Sequence, residues 1–186
     1  MARPADPGRR AKTLAAAADY VLEHGLAGLS LRPLASALGT STRMLLYDFS
    51  SKEELVMAVL TEIRGREAAM LAGYVYASSA SGPELVQAVW HWASSAERAP
   101  FMRLFFEVYT DAMARPGTYS QRGQAMVTEW LDQFGAALAG TPADGAPATL
   151  VIAVLRGLLL DRLSTGDTAR TDRALELFTQ LLAGQS

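Results

Sequence analysis

The sequence predicts an all-α fold, and three observations support it. Apolar residues recur at helical spacing along most of the chain, no segment alternates with a sustained period of two, and glycine or helix-capping residues separate the apolar stretches. The chain has 186 residues, of which 50% are hydrophobic and 19% are charged. This composition is typical of a chain with a substantial buried core, so we exclude a disordered protein.

Four helices are predicted in the first part of the chain, over residues 9–24, 31–38, 42–49 and 52–76. Gly25 and Gly39 follow the first two helices as left-handed stops. Ser30 and Ser41 are the expected N-caps of the second and third helices. Ser51-Lys52-Glu53-Glu54 is a capping box that opens the fourth.

Five further helices are predicted, which gives about nine in total. We expect them over residues 82–99, 100–115, 118–138, 148–163 and 168–183. The pattern Ser81-x-x-Glu84 predicts a capping box before the first of these helices. Thr165-Gly166-Asp167 separates the last two.

The residue types present exclude several kinds of site. The chain has no cysteine, so disulfides, thiolate metal sites and a cysteine nucleophile are excluded, and a reducing cytoplasm fits. Its only two histidines, His24 and His91, are far apart in sequence, so we expect no histidine-built zinc centre and no other cofactor.

The sequence also predicts a soluble, cytoplasmic protein that does not enter a membrane. Its first residues lack the apolar stretch of a secretory signal. The most apolar run, residues 148–160, is interrupted by Arg156 and Gly157 and is too short to span a bilayer.

Charge is distributed unevenly along the chain. Residues 1–52 contain seven basic and four acidic residues, a net charge of +3, whereas the remainder has a net charge of −5. This asymmetry indicates that the N-terminal third meets a polyanion.

Residues 30–49 contain the most informative pattern. Leu34-Ala35-x-x-Leu38-Gly39, followed by Leu45, predicts two short helices that cross closely at Ala35 and are joined by a glycine turn. The pattern is typical of a helix-turn-helix, whose second helix enters a DNA major groove. A tight helical hairpin in any all-α protein would look the same, so both interpretations stay open on this pattern alone.

The flanking residues favour the helix-turn-helix, because residues 10–60 resemble the DNA-binding domain of the tetracycline-repressor (TetR) family of transcription regulators. The matching residues are Ala16-Ala17-Ala18, Gly25, Leu29-Ser30-Leu31-Arg32, Leu34-Ala35, Leu38-Gly39, Ser41, Leu45, Phe49 and Ser51-Lys52-Glu53-Glu54-Leu55. The resemblance implies a DNA-binding domain at residues 7–67, with the helix-turn-helix at about 30–49. It also implies a ligand-binding and dimerisation domain at residues 68–186.

Three residues at the start of the recognition helix are expected to reach the base edges, namely Thr42, Arg43 and Met44. Arg43 suits the N7 and O6 atoms of guanine, and Met44 suits the methyl group of thymine. Thr40 and Ser41, beside the helix N-terminus, suit phosphate.

Two further cations, Arg32 and Lys52, match family positions that clamp the DNA backbone. Arg9, Arg10 and Lys12 are candidates for an additional arm that contacts phosphate or the minor groove.

The recognition helix departs from the family pattern in Leu46-Tyr47-Asp48. Leu46 replaces the usual tyrosine, which contacts the DNA backbone in relatives. Tyr47 falls where relatives carry a second aromatic residue, so we expect it to take over a phosphate or sugar contact. Asp48 is expected to place a negative charge near the DNA face and to weaken that contact.

A small, largely apolar ligand is expected in the C-terminal domain, because the helix over residues 100–115 has two apolar stripes. The candidate lining residues are Trp92, Met102, Phe106, Tyr109, Met113, Met126 and Trp130. Packing in an ordinary core is the alternative for each of them.

A homodimer is expected through the last two helices, because the helix over residues 148–163 is apolar all round and needs a partner besides its own core. The candidate interface residues are Leu155, Gly157, Leu158, Leu159, Arg162, Phe178, Leu181 and Leu182. The TetR resemblance implies the same mode of dimerisation.

The sequence therefore predicts a homodimeric transcription regulator, in this family most often a repressor, that binds a palindromic DNA operator and is released by a small ligand. Two alternatives stay open. One is a helical interaction module that has lost DNA binding, and the other is a small helical enzyme. We expect no enzyme, because the sequence contains no Ser/His/Asp, paired-carboxylate or metal-spaced constellation.

Overall fold

The computed structural model describes residues 7–114 and 146–184, and these residues form eight α-helices, one 3₁₀ turn and no strand. The predicted all-α fold is confirmed. Within the described ranges, no helix has both the length and the apolar content that crossing a membrane requires. The chain divides into two compact units, with the boundary between Met70 and Leu71.

The first helices begin and end close to their predicted positions. They are α1 (Pro7–His24), α2 (Leu31–Ala37), α3 (Thr42–Phe49) and α4 (Lys52–Ser78). Gly25 and Gly39 have φ angles of 74° and 63°, so the left-handed stops predicted after α1 and α2 are confirmed. The Ser51 hydroxyl accepts a hydrogen bond from the Glu54 N–H at 3.0 Å, as expected for a cap. Ser30 occupies the N-cap position of α2, but its side chain makes no capping hydrogen bond.

The remaining described helices are α5 (Gly82–Ala93), α6 (Ala99–Ala114), α7 (Ala146–Thr165) and α8 (Thr168–Ala183), with a 3₁₀ turn at Ala96–Arg98. The helix predicted over residues 118–138 lies outside the described residues. α5 ends at Ala93 rather than near Ala99. Beyond its end the Ser95 hydroxyl donates to the Trp92 carbonyl at 3.0 Å, a local bond that competes with continuation of the helix.

The capping box predicted at Ser81 is wrong. The Ser81 hydroxyl makes no capping hydrogen bond, and the Glu84 N–H donates instead to the Ser81 backbone carbonyl at 3.1 Å. Gly82, the first residue of α5, has a φ of 53°, so the backbone enters this helix through a conformation that the capping-box pattern does not anticipate.

The N-terminal unit has its own apolar core. Its buried residues are Ala17, Ala18, Val21, Leu34, Ala35, Leu45, Phe49, Leu55, Val56, Val59 and Ile63. At the surface, Arg66 of α4 donates to Glu62 and to Asp19 of α1, each at 2.8 Å. These two carboxylates raise the pKa of Arg66, with the Glu62 hydrogen bond as the largest cause. α1 and α4 are therefore joined by apolar burial and by this shared guanidinium.

The core of the C-terminal unit lies mainly between α5, α7 and α8. Trp90 of α5, Leu155 of α7 and Leu175 of α8 are at most 3% exposed and belong to one continuous apolar cluster. Met102 of α6 joins the same cluster. This unit therefore uses the apolar face of α7 for its own interior.

A polar network that includes Arg162 crosses one edge of this core. The Trp90 indole N–H and the Arg162 Nη1 both donate to Asp172 Oδ1, each at 2.8 Å. The Arg162 guanidinium carbon lies 5.5 Å from the centroid of the Trp90 ring. Arg162, which was predicted at a dimer interface, thus already joins α5, α7 and α8 within the protomer, and its interface role stays a prediction.

Asp172→Ala tests the importance of this network. We expect the substitution to lower the free energy of unfolding by about 1–2 kcal/mol, because it leaves the buried Trp90 N–H and Arg162 without their shared acceptor. Glu176→Ala, at an exposed site on the same helix, is the control and should change stability by no more than about 0.5 kcal/mol. Urea unfolding followed by circular dichroism measures both changes. Equal effects of the two variants would contradict the assignment.

Candidate nucleic-acid interface

The turn between α2 and α3 is tight and is closed by backbone hydrogen bonds. The Gly39 N–H donates to the Ser36 carbonyl at 3.2 Å, and the Thr40 N–H donates to the Ala35 carbonyl at 2.9 Å. A side chain would strain the positive φ of Gly39. Ala35 is 3% exposed, so the small residue predicted at a close crossing is buried. α2 and α3 therefore form a helix-turn-helix.

One face of α3 is buried and fixes the orientation of this helix. Leu45 and Phe49 are 1% and 2% exposed, in the i, i+4 arrangement that the sequence predicts. The Ser41 hydroxyl accepts a hydrogen bond from the Met44 N–H at 3.2 Å, which confirms the predicted cap. The first turn of α3 is therefore ordered by its cap as well as by burial.

The opposite face of α3 is open to solvent. Ser41 and Arg43 are exposed, and the side chain of Tyr47 is 50% exposed. Thr42 and Met44 are half-buried. Arg43 and Tyr47 thus share the solvent side of α3, whereas Thr42 and Met44 are only partly exposed beside it.

Cations flank this exposed face in sequence at the starts of α2 and α4. Arg32 and Lys52 are both exposed, and Thr40 in the turn is half-buried. In the part of the chain that the structure describes, Arg32, Arg43 and Lys52 form no ion pair with an acidic side chain. Their charges are therefore available to an anionic partner such as a phosphate backbone.

The structure corrects the interpretation of Asp48. Its side chain is 2% exposed, and its Oδ1 accepts from Arg9 Nη2 of α1 at 2.8 Å. The carboxylate is buried and neutralised, so it does not present an unpaired negative charge to DNA. The same contact withdraws Arg9 from the expected DNA-binding arm.

Arg10 makes a second connection between α1 and the end of α3. Its Nε donates to the Asp48 backbone carbonyl at 3.1 Å, and its guanidinium carbon lies 4.8 Å from the Phe49 ring centroid. Sequence reasoning missed both contacts, because no local pattern pairs residues that are 38 or 39 positions apart. Lys12 stays exposed on α1.

Three residues predicted to line a ligand site have other surroundings. Trp92 and Met102 are 8% and 1% exposed and belong to the apolar core of the C-terminal unit, as the core-packing alternative expects. Met113 is 65% exposed, so the described residues do not enclose it.

Phe106 and Tyr109 remain candidates, since both are half-buried on α6. Phe105 stacks on Tyr109 with ring centroids 6.2 Å apart. Met126 and Trp130 lie outside the described residues. Within residues 7–114 and 146–184, no group of three or more histidine and acidic residues is arranged to hold a metal ion.

The predicted dimer residues separate into buried and exposed sets. Leu155 and Leu159 are 2% and 4% exposed inside the protomer's own core, so their assignment to an interface is wrong. Leu158, Phe178 and Leu182 are half-buried and pack against the same core. Residues of the same protomer thus cover much of the apolar surface of α7.

Gly157 and Leu181 are exposed, and sequence reasoning missed three exposed leucines near them. Leu150 and Leu160 of α7 are 53% and 49% exposed, and Leu177 of α8 is 58% exposed. Leu150, Gly157 and Leu160 are spaced so that they share one side of α7, and Leu177 and Leu181 share one side of α8. We call these five residues the α7–α8 outer face.

Comparisons with known proteins agree with this architecture. Residues 14–59 match the family model described as bacterial regulatory proteins, tetR family. Among curated proteins, none matches the chain. The resemblance that the sequence shows over residues 10–60 is confirmed by the family model.

Solved structures resemble nearly the whole chain. A TetR-family transcriptional regulator from Cytophaga hutchinsonii aligns with a TM-score of 0.80 at 18% identity, covering 95% of this chain and 94% of that chain. A TetR-family member from Streptomyces coelicolor A3 aligns with a TM-score of 0.70 at 28% identity, covering 95% and 99%. The multidrug binding protein EbrR complexed with imidazole gives a TM-score of 0.70 at 28% identity, covering 98% and 94%.

Arg9→Ala tests the ion pair at the end of α3. We expect it to lower the free energy of unfolding by about 1–3 kcal/mol, because the buried Asp48 carboxylate loses its cation. Adding Asp48→Asn to the same chain should restore much of the loss, since the buried charge is then absent. Lys12→Ala, exposed on the same helix, is the control. Strictly additive effects of Arg9→Ala and Asp48→Asn in chemical denaturation would show that the two side chains do not interact.

Proposed function

We propose that this chain, which has the DNA-binding domain and the fold of TetR-family transcriptional regulators, represses transcription as a cytoplasmic homodimer on a palindromic operator. A small ligand bound by the C-terminal unit releases it from DNA. One observation carries the DNA-binding part of the proposal. The exposed side of α3, whose buried side is fixed by Leu45 and Phe49, carries Arg43 without an acidic partner among the described residues.

The roles of the DNA-facing residues follow from their positions on α3 and its flanks. Arg43 lies in the first turn of α3, on the exposed side of the helix. A side chain at this position reaches base edges when the helix enters a major groove. Arg32 and Lys52, at the starts of other helices, supply phosphate contacts that fix register but carry no sequence information. Thr40 and Ser41 add hydrogen-bonding groups beside the α3 N-terminus.

The pairing of Asp48 with Arg9 favours this function over an interaction module that has lost DNA binding. That alternative depends on two departures from the family pattern, Leu46 and Asp48. The buried, paired carboxylate removes the repulsion expected from Asp48. Leu46 is 40% exposed and offers apolar contact where a hydroxyl would bind phosphate, so Tyr47 supplies the backbone contact instead.

The proposed dimer uses the α7–α8 outer face rather than the residues that the core already encloses. Four exposed leucines lie on two helices that pack against each other, and a second copy of the chain would cover them. Gly157 lies among them, and a Cβ at this position would meet no atom within 4 Å in the protomer, so a partner helix has room to approach closely. A twofold axis through this face pairs it with itself and yields two recognition helices.

Release from DNA follows from a shift between two dimer arrangements. A ligand favours release only if it binds more tightly to the arrangement whose recognition helices no longer match successive major grooves. The half-buried aromatic residues of α6, Phe106 and Tyr109, are the proposed contacts for the apolar part of that ligand.

Selection of bound sequences from a random pool of double-stranded DNA tests the proposal. We expect enrichment of an inverted repeat and a binding constant that falls steeply as salt rises, because several phosphate contacts release counterions. If no sequence is enriched, or if salt has no effect on binding, the interaction-module or enzyme alternative replaces the DNA-binding one.

Arg43→Ala tests base recognition on the selected operator. We expect one guanine in each half-site whose replacement costs the native protein about 1–3 kcal/mol, and Arg43→Ala should abolish that preference at this position only. The physical reason is that a guanidinium donates to both guanine acceptors at once. Fluorescence anisotropy with single-base operator variants measures the preference.

Lys52→Ala is the matched control for Arg43→Ala, because both residues are exposed cations of the same unit. It should weaken binding to every operator variant alike and lower the salt slope by about one. Uniform weakening by Arg43→Ala as well would place Arg43 on the DNA backbone and contradict its role in base recognition.

Leu160→Glu tests the α7–α8 outer face. In a twofold dimer it places two carboxylates in one apolar seam, and we expect the dimer to weaken by roughly 3 kcal/mol, or about 100-fold. Tyr76→Glu, at an 88% exposed site on α4, is the control. Light scattering coupled to size-exclusion chromatography should give the mass of one chain for Leu160→Glu and of two chains for the control. A Leu160→Glu variant that keeps the dimer mass would remove this face from the interface.

A further inference from the structure

Arg156 of α7 has a buried guanidinium that lacks its expected partners. Its Nε and Nη2 atoms are both buried, and neither has a hydrogen-bond partner. Two other arginines of the same unit have acidic partners. Arg162 pairs with Asp172, and Arg170 pairs with Asp161. A buried N–H without an acceptor is costly, so this pair of donors requires an explanation.

The surroundings of Arg156 are aromatic rather than acidic. Its guanidinium carbon lies 5.5 Å from the centroid of the Tyr109 ring on α6. Phe105, which stacks on Tyr109, is 4% exposed. A cation over a ring gains some stabilisation, and Tyr109 also contributes a side-chain hydrogen bond to the guanidinium, but Nε and Nη2 are left without an acceptor.

Burial acts on the charge of Arg156 as well as on its hydrogen bonds. Desolvation lowers the pKa of Arg156 below its ordinary value, and the neighbouring Tyr109 opposes that effect. The guanidinium nevertheless keeps its charge near neutral pH, because an arginine side chain is not deprotonated in proteins. The unit therefore holds a permanent cation that is only partly compensated by the described residues.

The geometry of the free donors selects one chemical class of ligand. Nε and Nη2 form one edge of the planar guanidinium, and their N–H groups point in nearly parallel directions. The two oxygens of a carboxylate match such an edge, which gives a bidentate, charge-assisted pair. The ring of Tyr109 and the half-buried Phe106 on α6 offer apolar contact to the body attached to that carboxylate.

We propose that Arg156 is the anion-binding residue of the ligand site, so that the ligand is an organic carboxylate with an aromatic or aliphatic body. This inference rests on the proposed function, because it names the ligand class of that regulator. It also replaces the sequence-based expectation of a largely apolar ligand with an amphipathic one. Because one buried guanidinium binds the carboxylate, neutral analogues of the same shape should bind more weakly.

Matched pairs of carboxylates and carboxamides test the ligand class on the full chain. The probes are 1-naphthoate with 1-naphthamide and octanoate with octanamide, titrated by isothermal calorimetry without DNA. We expect at least one carboxylate to bind about 10- to 100-fold more tightly than its amide, because the amide lacks the charge. If both carboxylates fail to exceed their amides, the proposal is overturned.

Arg156→Gln assigns the preference to this side chain. We expect it to remove the preference for the carboxylate, while Arg173→Gln, at an exposed site on α8, leaves the preference unchanged. A preference that survives Arg156→Gln would assign the anion to another residue and overturn the proposal. Operator binding by Arg156→Gln should persist without release by the carboxylate. The calorimetric result does not depend on DNA, so a failure of operator binding in the native chain would refute the proposed function separately.

Arg156→Met gives a second readout that needs no ligand. The side chain keeps much of the volume of arginine but removes the donors, so the melting temperature of the ligand-free protein should stay the same or rise. A clear fall in the melting temperature would show that the donors are already paired within the chain. That result would contradict an open anion site.

Discussion

The position of the recognition helix depends on how the end of α3 is held by α1. A helix of eight residues is not stable alone in water, so α3 takes its conformation from what it packs against. Phe49 is buried under the Arg10 guanidinium, and the Asp48 carboxylate beside it is closed off by Arg9. Arg9 bonds to the Asp48 side chain, and Arg10 donates to the Asp48 backbone carbonyl, so both parts of the last turn are held. Because one face is fixed in this way, the other face presents Arg43 and Tyr47 in a defined direction.

In the C-terminal unit, two arginines of α7 differ in whether a carboxylate pairs with them. Arg156 and Arg162 lie on the same helix, six positions apart, and each lies near an aromatic ring. Arg162 reaches Asp172 and connects three helices, so its charge serves stability. Arg156 has no such carboxylate among the described residues and keeps two donors unused. The presence or absence of one acidic partner thus separates a structural arginine from a proposed ligand contact.

Much of the fold could be predicted from the sequence because its signals are local. Helical periodicity, the glycine stops at Gly25 and Gly39, and the Ser41 cap depend on residues within one or two turns. The local pattern at residues 30–49 left a helical hairpin and a helix-turn-helix both open, and the TetR resemblance of the flanking residues decided between them. Ser81 shows the limit of a local pattern, since the positive φ of Gly82 is incompatible with the capping box that the sequence predicts there.

The remaining features depend on contacts between distant segments, which a single sequence does not encode in any local pattern. The pairing of Arg9 with Asp48 is one example, because it buries a carboxylate that the sequence led us to expect near the DNA face. The difference between the buried and exposed sides of α7 is another example. The run of leucines looks apolar on every side, and only the packing of α5 and α8 decides that Leu155 and Leu159 face inward while Leu160 faces out.

The central claim is that two copies of this chain place their α3 helices in successive major grooves of one DNA site. Hydroxyl-radical footprinting on operator DNA selected by the protein measures this arrangement directly. The account predicts two protected stretches related by a twofold axis, with centres about 10–10.5 base pairs apart. A single protected stretch, or protection without twofold symmetry, would contradict it.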